Sequence, residues 1–320
     1  MMPLVSVIIP NYNHAPYLKQ RIESVLNQTY QDFEVIILDD CSTDNSRDII
    51  ENYKTNSKIK NIIYNRQNSG STFKQWDKGI AEATGDYIWI AESDDYCETD
   101  FIEKIIGEIN NDAEIVLAYT QSKIVDENNI ETLYLGDSIV PNHNKVINYS
   151  LSYNRSGFKE ITSLLYHFNY IYNASSVIFK KKTYLEVGGV NKELKLCGDW
   201  LLWVSILTKG NVYFHKEPLN YFRNHSNSVR TASENQKIVW SEYLMVLKYI
   251  IDNIKLTDTE RKMIANDIVY RYFNRYKKKG MMKFSDFIAM MKILHTVICF
   301  PEILLLKTFL YYRHIILCVA

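Results

Sequence analysis

The chain has 320 residues, 47% hydrophobic and 23% charged, with only 11 Gly and 6 Pro; it can build a large core, and extended disorder, collagen-like and linker-rich architectures are excluded. Lys plus Arg equals Asp plus Glu at 37 each, yet from Arg271 onward nine basic residues face two acidic ones, so the tail carries +7 and the body −7, and no global charge points to nucleic acid. Five scattered cysteines (Cys41, Cys97, Cys197, Cys299, Cys318), none in a CxxC pair, argue against a disulfide framework and a zinc site and fit a reducing compartment.

Leu4–Pro10 reads as a β-branched strand closed by proline, too short for a secretory h-region. A helix follows from Pro16, with Tyr17, Leu18, Ile22, Val25 and Leu26 at helical spacing. Glu34–Leu38 is a second strand ending at Asp39-Asp40, where Ser42 or Thr43 can cap the next helix. Asn61–Tyr64 is a strand, Phe73–Ala83 a helix, and Tyr87–Ala91 a strand ending at Glu92-Ser93-Asp94-Asp95. Asp100–Ile109 reads as helix, Glu114–Tyr119 as strand, and the polar stretch Glu131–Asn154 as loop. Ala174–Lys180 and Val212–His215 are further strands, Thr183–Val187 is a short helix, and Trp200–Leu207 is an apolar run. After Thr231 the pattern is helical. Apolar strands alternating with helices predict a mostly parallel sheet covered on both faces, with ligands at the carboxyl ends of the strands. Asn11-Tyr12-Asn13, Asp39-Asp40 and Asp94-Asp95 all collect there.

Each motif has a structural and a chemical reading. Asp94-Asp95 is either a solvated loop capping the following helix or a holder of a hard divalent ion and the phosphate oxygens it bridges. Asp39-Asp40 either caps or accepts hydrogen bonds from a base or ribose. Tyr12 is one of 24 tyrosines, or a stacking surface for a base. Asp199 either N-caps the Trp200 helix or acts as a general base. His225 is a solvated loop residue, a metal ligand or a phosphate contact, and Arg223 or Arg230 a phosphate clamp. No G-x-S-x-G, G-x-x-x-x-G-K-[ST] or G-x-G-x-x-G occurs, which argues against a nucleophile-elbow hydrolase and against P-loop and dinucleotide folds.

In order and spacing, Val5–Asn13, Ser24–Tyr30 with Phe33–Asp40, and Gly85–Asp95 resemble glycosyltransferase family 2, inverting enzymes of GT-A fold. The resemblance covers residues 3 to 230. It implies a Rossmann-like, mostly parallel α/β domain at 1–230, with a nucleotide-sugar half at 1–120 and an acceptor half at 121–230, followed by a helical basic and apolar region at 231–320. It implies that Pro10, Tyr12 and Asp40 hold the nucleobase, that Asp94 sits near ribose and metal, that Asp95 and His225 ligate Mn²⁺ or Mg²⁺, and that Asp199 is the catalytic base. The family's D-x-D begins here with Ser93, its acidic pair reads Gly198-Asp199, and its arginine-bearing stretch is replaced by Asn68–Gly79, with Lys74 and Lys78 as substitutes.

The implied reaction moves a sugar from a nucleoside-diphosphate sugar, a UDP-sugar by family analogy, to a hydroxyl of a glycan or lipid-linked acceptor in cell-surface polysaccharide synthesis. The alternatives are a non-catalytic sugar-nucleotide or membrane-binding relative, and a nucleotidyltransferase on a similar sheet. The expected location is cytoplasmic, peripheral on the inner face of the membrane. No apolar block of the tail is long enough to span a bilayer, but residues 281–320 suit an anionic membrane surface or a packed protein interface, including that of an oligomer.

Overall fold

The structure is a computed structural model, and it describes residues 4–134, 150–225, 238–272 and 284–297. Contacts divide the chain into two units, Met1–Thr231 and Ala232–Ala320.

The first unit is built on one mixed sheet. In chain order its elements are β1 (Val5–Asn11), α1 (Ala15–Leu26), β2 (Phe33–Asp39), α2 (Ser46–Glu51), β3 (Ile59–Tyr64), α3 (Thr72–Glu82), β4 (Tyr87–Ile90), β5 (Tyr96–Cys97), α4 (Phe101–Ile109), β6 (Ile115–Val125), β7 (Glu131–Tyr134), β8 (Tyr153–Ser156), α5 (Gly157–Glu160, continued as a π turn through Ile161–Leu165), β9 (Val177–Lys180), α6 (Lys181–Glu186), α7 (Gly198–Leu207) and β10 (Asn211–Arg223). The strand order is β3-β2-β1-β4-β9-β6-β10-β5, with β7 on β6 and β8 on β10. β3, β2, β1 and β4 run parallel, β9 is antiparallel to both β4 and β6, and β10 is parallel to β6.

Alternation along β1 assigns its two faces. Val5, Val7 and Ile9 enter the core shared with Leu18, Ile22 and Val25 of α1 and Phe101, Ile102 and Ile105 of α4. Ile8 faces the other way, toward α3. There Gly79 brings the helix so close that a Cβ would lie 2.4 Å from Ile8 and 2.9 Å from Leu38. Pro10 is tolerated inside a central strand because pairing with β4 ends at Ile8, where a missing N–H costs little. α7 lies on the α3 face and is buried almost all round, as an uninterrupted apolar helix must be.

Three expectations change. Part of the stretch expected as loop, Glu131–Asn154, forms β7 and the start of β8, and its centre lies outside the described residues. β6 and β10 run longer than their apolar cores because their polar ends pair with one another from Ser122 with Asn220 to Val125 with Arg223. Tyr221–Arg223, expected in a loop, is therefore strand, whereas Arg230 lies outside the described residues.

The second unit contributes α8 (Val239–Asn253), α9 (Asp258–Arg271) and α10 (Phe284–Val297). A reciprocal capping box between Thr257 and Glu260 starts α9. The Asp267 carboxylate accepts from the Tyr243 hydroxyl at 2.6 Å and from Arg271 Nε at 2.8 Å, tying α8 to α9. Apart from α10, residues 281–320 lie outside the described residues. No described helix is long and apolar enough to cross a membrane.

Candidate active site

The loops after β1 and β2 are zipped together by short polar side chains. Asn11 Nδ2 donates to Asp39 Oδ1 at 2.9 Å and to Ser42 Oγ at 3.1 Å. Asn13, at φ 57°, donates its backbone N–H to Ser42 Oγ and accepts from Thr43 N–H; asparagine suits this left-handed position. Tyr12 projects from the resulting edge, 45% exposed, while Pro10 is buried in β1.

Asp40, 4% exposed, is gripped by the loop between β3 and α3. Its carboxylate accepts from Asn65 Nδ2 (2.6 Å), Ser69 N–H (2.9 Å), Ser69 Oγ (2.7 Å) and Gln75 Nε2 (3.1 Å). Lys78 bonds Asn65 Oδ1 and Lys74 the Ser69 carbonyl, so both lysines brace this loop.

Glu92–Asp95 forms a turn closed by the Asp95 N–H donating to the Glu92 carbonyl. Glu92 accepts from Trp76 Nε1 at 2.7 Å and from Thr72 Oγ1 at 3.3 Å. Burial of its carboxyl, then the charge of Asp94, pushes its pKa up to about 8. Asp94 Oδ2 lies 3.1 Å from His225 Nε2. Burial opposes its ionisation, but that hydrogen bond and the fields of His14 and His225 outweigh burial and hold the carboxyl below its ordinary range. His14, between β1 and α1, completes the group: its Nδ1 is 2.8 Å from Ser93 Oγ, and its ring meets that of His225 edge-on at 5.5 Å. Burial, partly offset by the Asp94 charge, lowers the His14 pKa, which eases the loss of the proton that coordination requires. The ligating atoms of His14, Asp94 and His225 all lie within 4.8 Å of one another.

Of the two adjacent acids, it is Asp94 rather than Asp95, the expected metal ligand, that lies beside His14 and His225. Asp95 is 2% exposed and turns inward. Its Oδ2 accepts from Ser175 Oγ (2.6 Å) and Asn173 Nδ2 (2.9 Å), and its Oδ1 from Arg223 N–H (2.9 Å). Burial, then the neighbouring Asp94 charge, raises its pKa to about 6. Arg223 is likewise no phosphate clamp. Its guanidinium is consumed by the Asp94 and Asp126 carbonyls, Gln20 and Asn129, over the rings of Tyr17 and Tyr96.

Asp199 stands in the first turn of α7, 8% exposed. Oδ2 accepts from Asn169 Nδ2 at 3.0 Å and Oδ1 from Trp200 N–H at 2.7 Å.

The hub is the start of α3. Gln75 reaches Asp40, Thr72 and Trp76 reach Glu92, and Phe73 packs so tightly on Gly198 that a Cβ there would lie 2.5 Å from its ring. Asp40, the Glu92–Asp94 turn and the start of α7 thus meet at one helix end, whereas Asp95 is drawn away behind the turn. Sequence reasoning missed His14 and Glu92. Signals existed: His14 follows the first strand on the ligand edge, and Glu92-Ser93-Asp94 has acid-x-acid spacing. Nothing local marked Phe73, Gln75 and Trp76.

Residues 6–178 match Glycosyl transferase family 2. The chain is 36% identical over 126 residues to the Pasteurella multocida chondroitin synthase, covering 39% of this chain and 13% of that protein. It spans 39–44% of the length of several other curated relatives it matches. S. aureus TarS 1-349, solved in complex with UDP-GlcNAc, superposes with a TM-score of 0.65 at 18% identity, over 92% of this chain and 80% of that one. The mannosyltransferase PcManGT from Pyrobaculum calidifontis, solved with GDP-Man and Mn²⁺, gives 0.61 at 14% identity, over 98% and 81%. With the family match spanning more than half of the sequence and the architecture shared with both solved structures, the chain belongs to glycosyltransferase family 2 and has the GT-A fold.

Proposed function

We propose that this protein transfers a sugar, with inversion, from a nucleoside-diphosphate sugar (a UDP-sugar in our reading) to a hydroxyl of a cell-surface glycan or its lipid-linked precursor. The observation that carries the reading is the meeting of three acidic loci at the first turns of α3: Asp40, the Glu92–Asp94 turn and the Asp199 end of α7. The names of the relatives, a chondroitin synthase and structures with UDP-GlcNAc or GDP-Man, favour this donor and product class.

The base pocket would lie along the β1 and β2 ends. Asp40 would shape it by locking the loop at residues 65–71, Tyr12 would stack on the base, and Pro10 would set the strand end that carries Tyr12. Asp94 and His225 would hold a divalent ion, and their carboxylate and imidazole fit one. When bound, that ion supplies Lewis-acid stabilisation of the charge on the departing diphosphate. Asp199 would take the acceptor hydroxyl's proton as the oxygen bonds to the anomeric carbon and the bond to the diphosphate breaks. Asn169 and the Trp200 N–H hold that carboxylate in one orientation, as general-base catalysis requires.

Asp199→Asn keeps the size and the hydrogen-bonding shape but removes the base. We expect transfer to fall by roughly 10²–10⁴, with donor affinity by calorimetry unchanged. Near-normal turnover in this variant would refute the assignment.

A further inference from the structure

We infer that His14 is a third metal ligand, and that the resulting two-histidine, one-carboxylate set makes this centre select a divalent transition ion over Mg²⁺. The inference rests on the metal-dependent reading above and adds to it the ligand that decides which ion is held.

The side chains come from three separate segments: His14 from the β1–α1 junction, Asp94 from the turn after β4, and His225 from the end of β10. Their ligating atoms nevertheless fall within 4.8 Å of one another. Around an ion with bonds of about 2.1 Å, adjacent ligand atoms lie about 3 Å apart. The 3.1 Å between His225 Nε2 and Asp94 Oδ2 has that spacing. His14 Nδ1 is already bonded to Ser93 Oγ, which leaves Nε2 as its ligating nitrogen. A metal-bound histidine is ordinarily oriented by such a bond to its other nitrogen, and Ser93 is 1% exposed and adjacent to Asp94. Arg223 holds the Asp94 carbonyl and lies two residues before His225, so two of the three ligands share one anchor. Mg²⁺ takes oxygen ligands and retains waters, whereas imidazole nitrogens favour divalent transition ions, of which Mn²⁺ binds least tightly and so makes the most demanding probe. Two imidazoles beside one carboxylate therefore discriminate against Mg²⁺, and His14 supplies half of that nitrogen.

The test uses the full chain and Mn²⁺ alone, without donor. Bound Mn²⁺ is counted by loss of the free-ion EPR signal, Mg²⁺ is the competitor, and pulsed EPR reads ¹⁴N coupling from coordinated imidazole. For His14→Gln we expect Mn²⁺ affinity to fall about tenfold or more, at least the loss that outer-shell changes produce. One imidazole coupling should vanish, and Mg²⁺ should compete correspondingly better. Asp94→Asn should lose both ions. His14 forms no side-chain cap on α1 and a glutamine amide can keep a hydrogen bond to Ser93, so metal-free His14→Gln should still melt in one cooperative transition. Unchanged Mn²⁺ affinity and ¹⁴N coupling in His14→Gln, with binding lost in Asp94→Asn, overturns this inference and leaves the metal reading standing. Unchanged binding in Asp94→Asn overturns both.

Discussion

Glu92 and Asp95 flank the same carboxylate and are perturbed in the same direction, which gives the metal-free protein an unusual pH response. The folded-state pKa of Glu92 is about 8 and that of Asp95 about 6, against ordinary values of 4.5 and 3.8. Between the ordinary and the raised value the folded chain holds a proton that the unfolded chain has released. Raising the pH through that window therefore favours unfolding. Asp95 is half titrated at pH 6 and almost fully ionised by pH 7, so the loss between pH 7 and 8 belongs mainly to Glu92. We expect the melting temperature of metal-free wild type to fall across pH 7–8, and Glu92→Gln, whose carbonyl still accepts from Trp76, to flatten that segment. An equal fall in both proteins would show that Glu92 is ionised in the fold at neutral pH. Arg223 teaches the complementary lesson. A sequence shows an arginine two residues from a histidine in a polar stretch, but the side chain is buried and four of the guanidinium's five donors are spent on carbonyls and amides from three other segments.

The first turns of α3 and α7 meet, and a missing Cβ sets their separation. Gly198, the first residue of α7, lies against Phe73 of α3, one residue before Asp199. Gly198→Ala would insert a methyl 2.5 Å from that ring, and overpacking of this kind costs about 1–3 kcal/mol. We expect a lower denaturation midpoint and a reduced kcat, because the start of α7 must move to relieve the clash. Adding Phe73→Ala should recover part of the stability, with a coupling of at least about 0.5 kcal/mol in the double-mutant cycle. Strict additivity would mean that the two side chains do not meet. The first two turns of α3 lie in Asn68–Gly79, one of the stretches that departs from the family pattern. There Gln75 and Trp76 provide neutral donors to the acids.

At the scale of the whole molecule, a −7 body is followed by a tail that carries +7 from Arg271 onward, of which residues 281–320 hold four basic and two acidic residues among the apolar blocks. We propose that residues 281–320 bring the enzyme to an anionic membrane surface, where a lipid-linked acceptor would sit. Each basic residue near such a surface contributes about 1 kcal/mol, and apolar side chains between them, such as Ile288, 41% exposed on α10, add burial. Full-length protein should float with phosphatidylserine-containing liposomes and be released by salt, whereas a chain ending at residue 280 should stay at the bottom of the gradient. Equal flotation of the two would remove the tail from the membrane.

The alternation of buried strands and amphipathic helices was legible in the chain itself, because side-chain period and burial are local properties. So was the clustering of Asn11–Asn13, Asp39-Asp40 and Asp94-Asp95 on one sheet edge, since parallel strands deliver their carboxyl ends to the same side. Local pattern is silent about which of two adjacent acids stays part-exposed beside two histidines and which turns into the core. Asp94 and Asp95 differ only because Ser175, Asn173 and the Arg223 N–H, 78 to 128 residues away, capture the second. The partnership of His14 with His225 and the role of α3 as a hub were hidden for the same reason: both follow from docking of remote segments, a choice made by packing across the whole sheet.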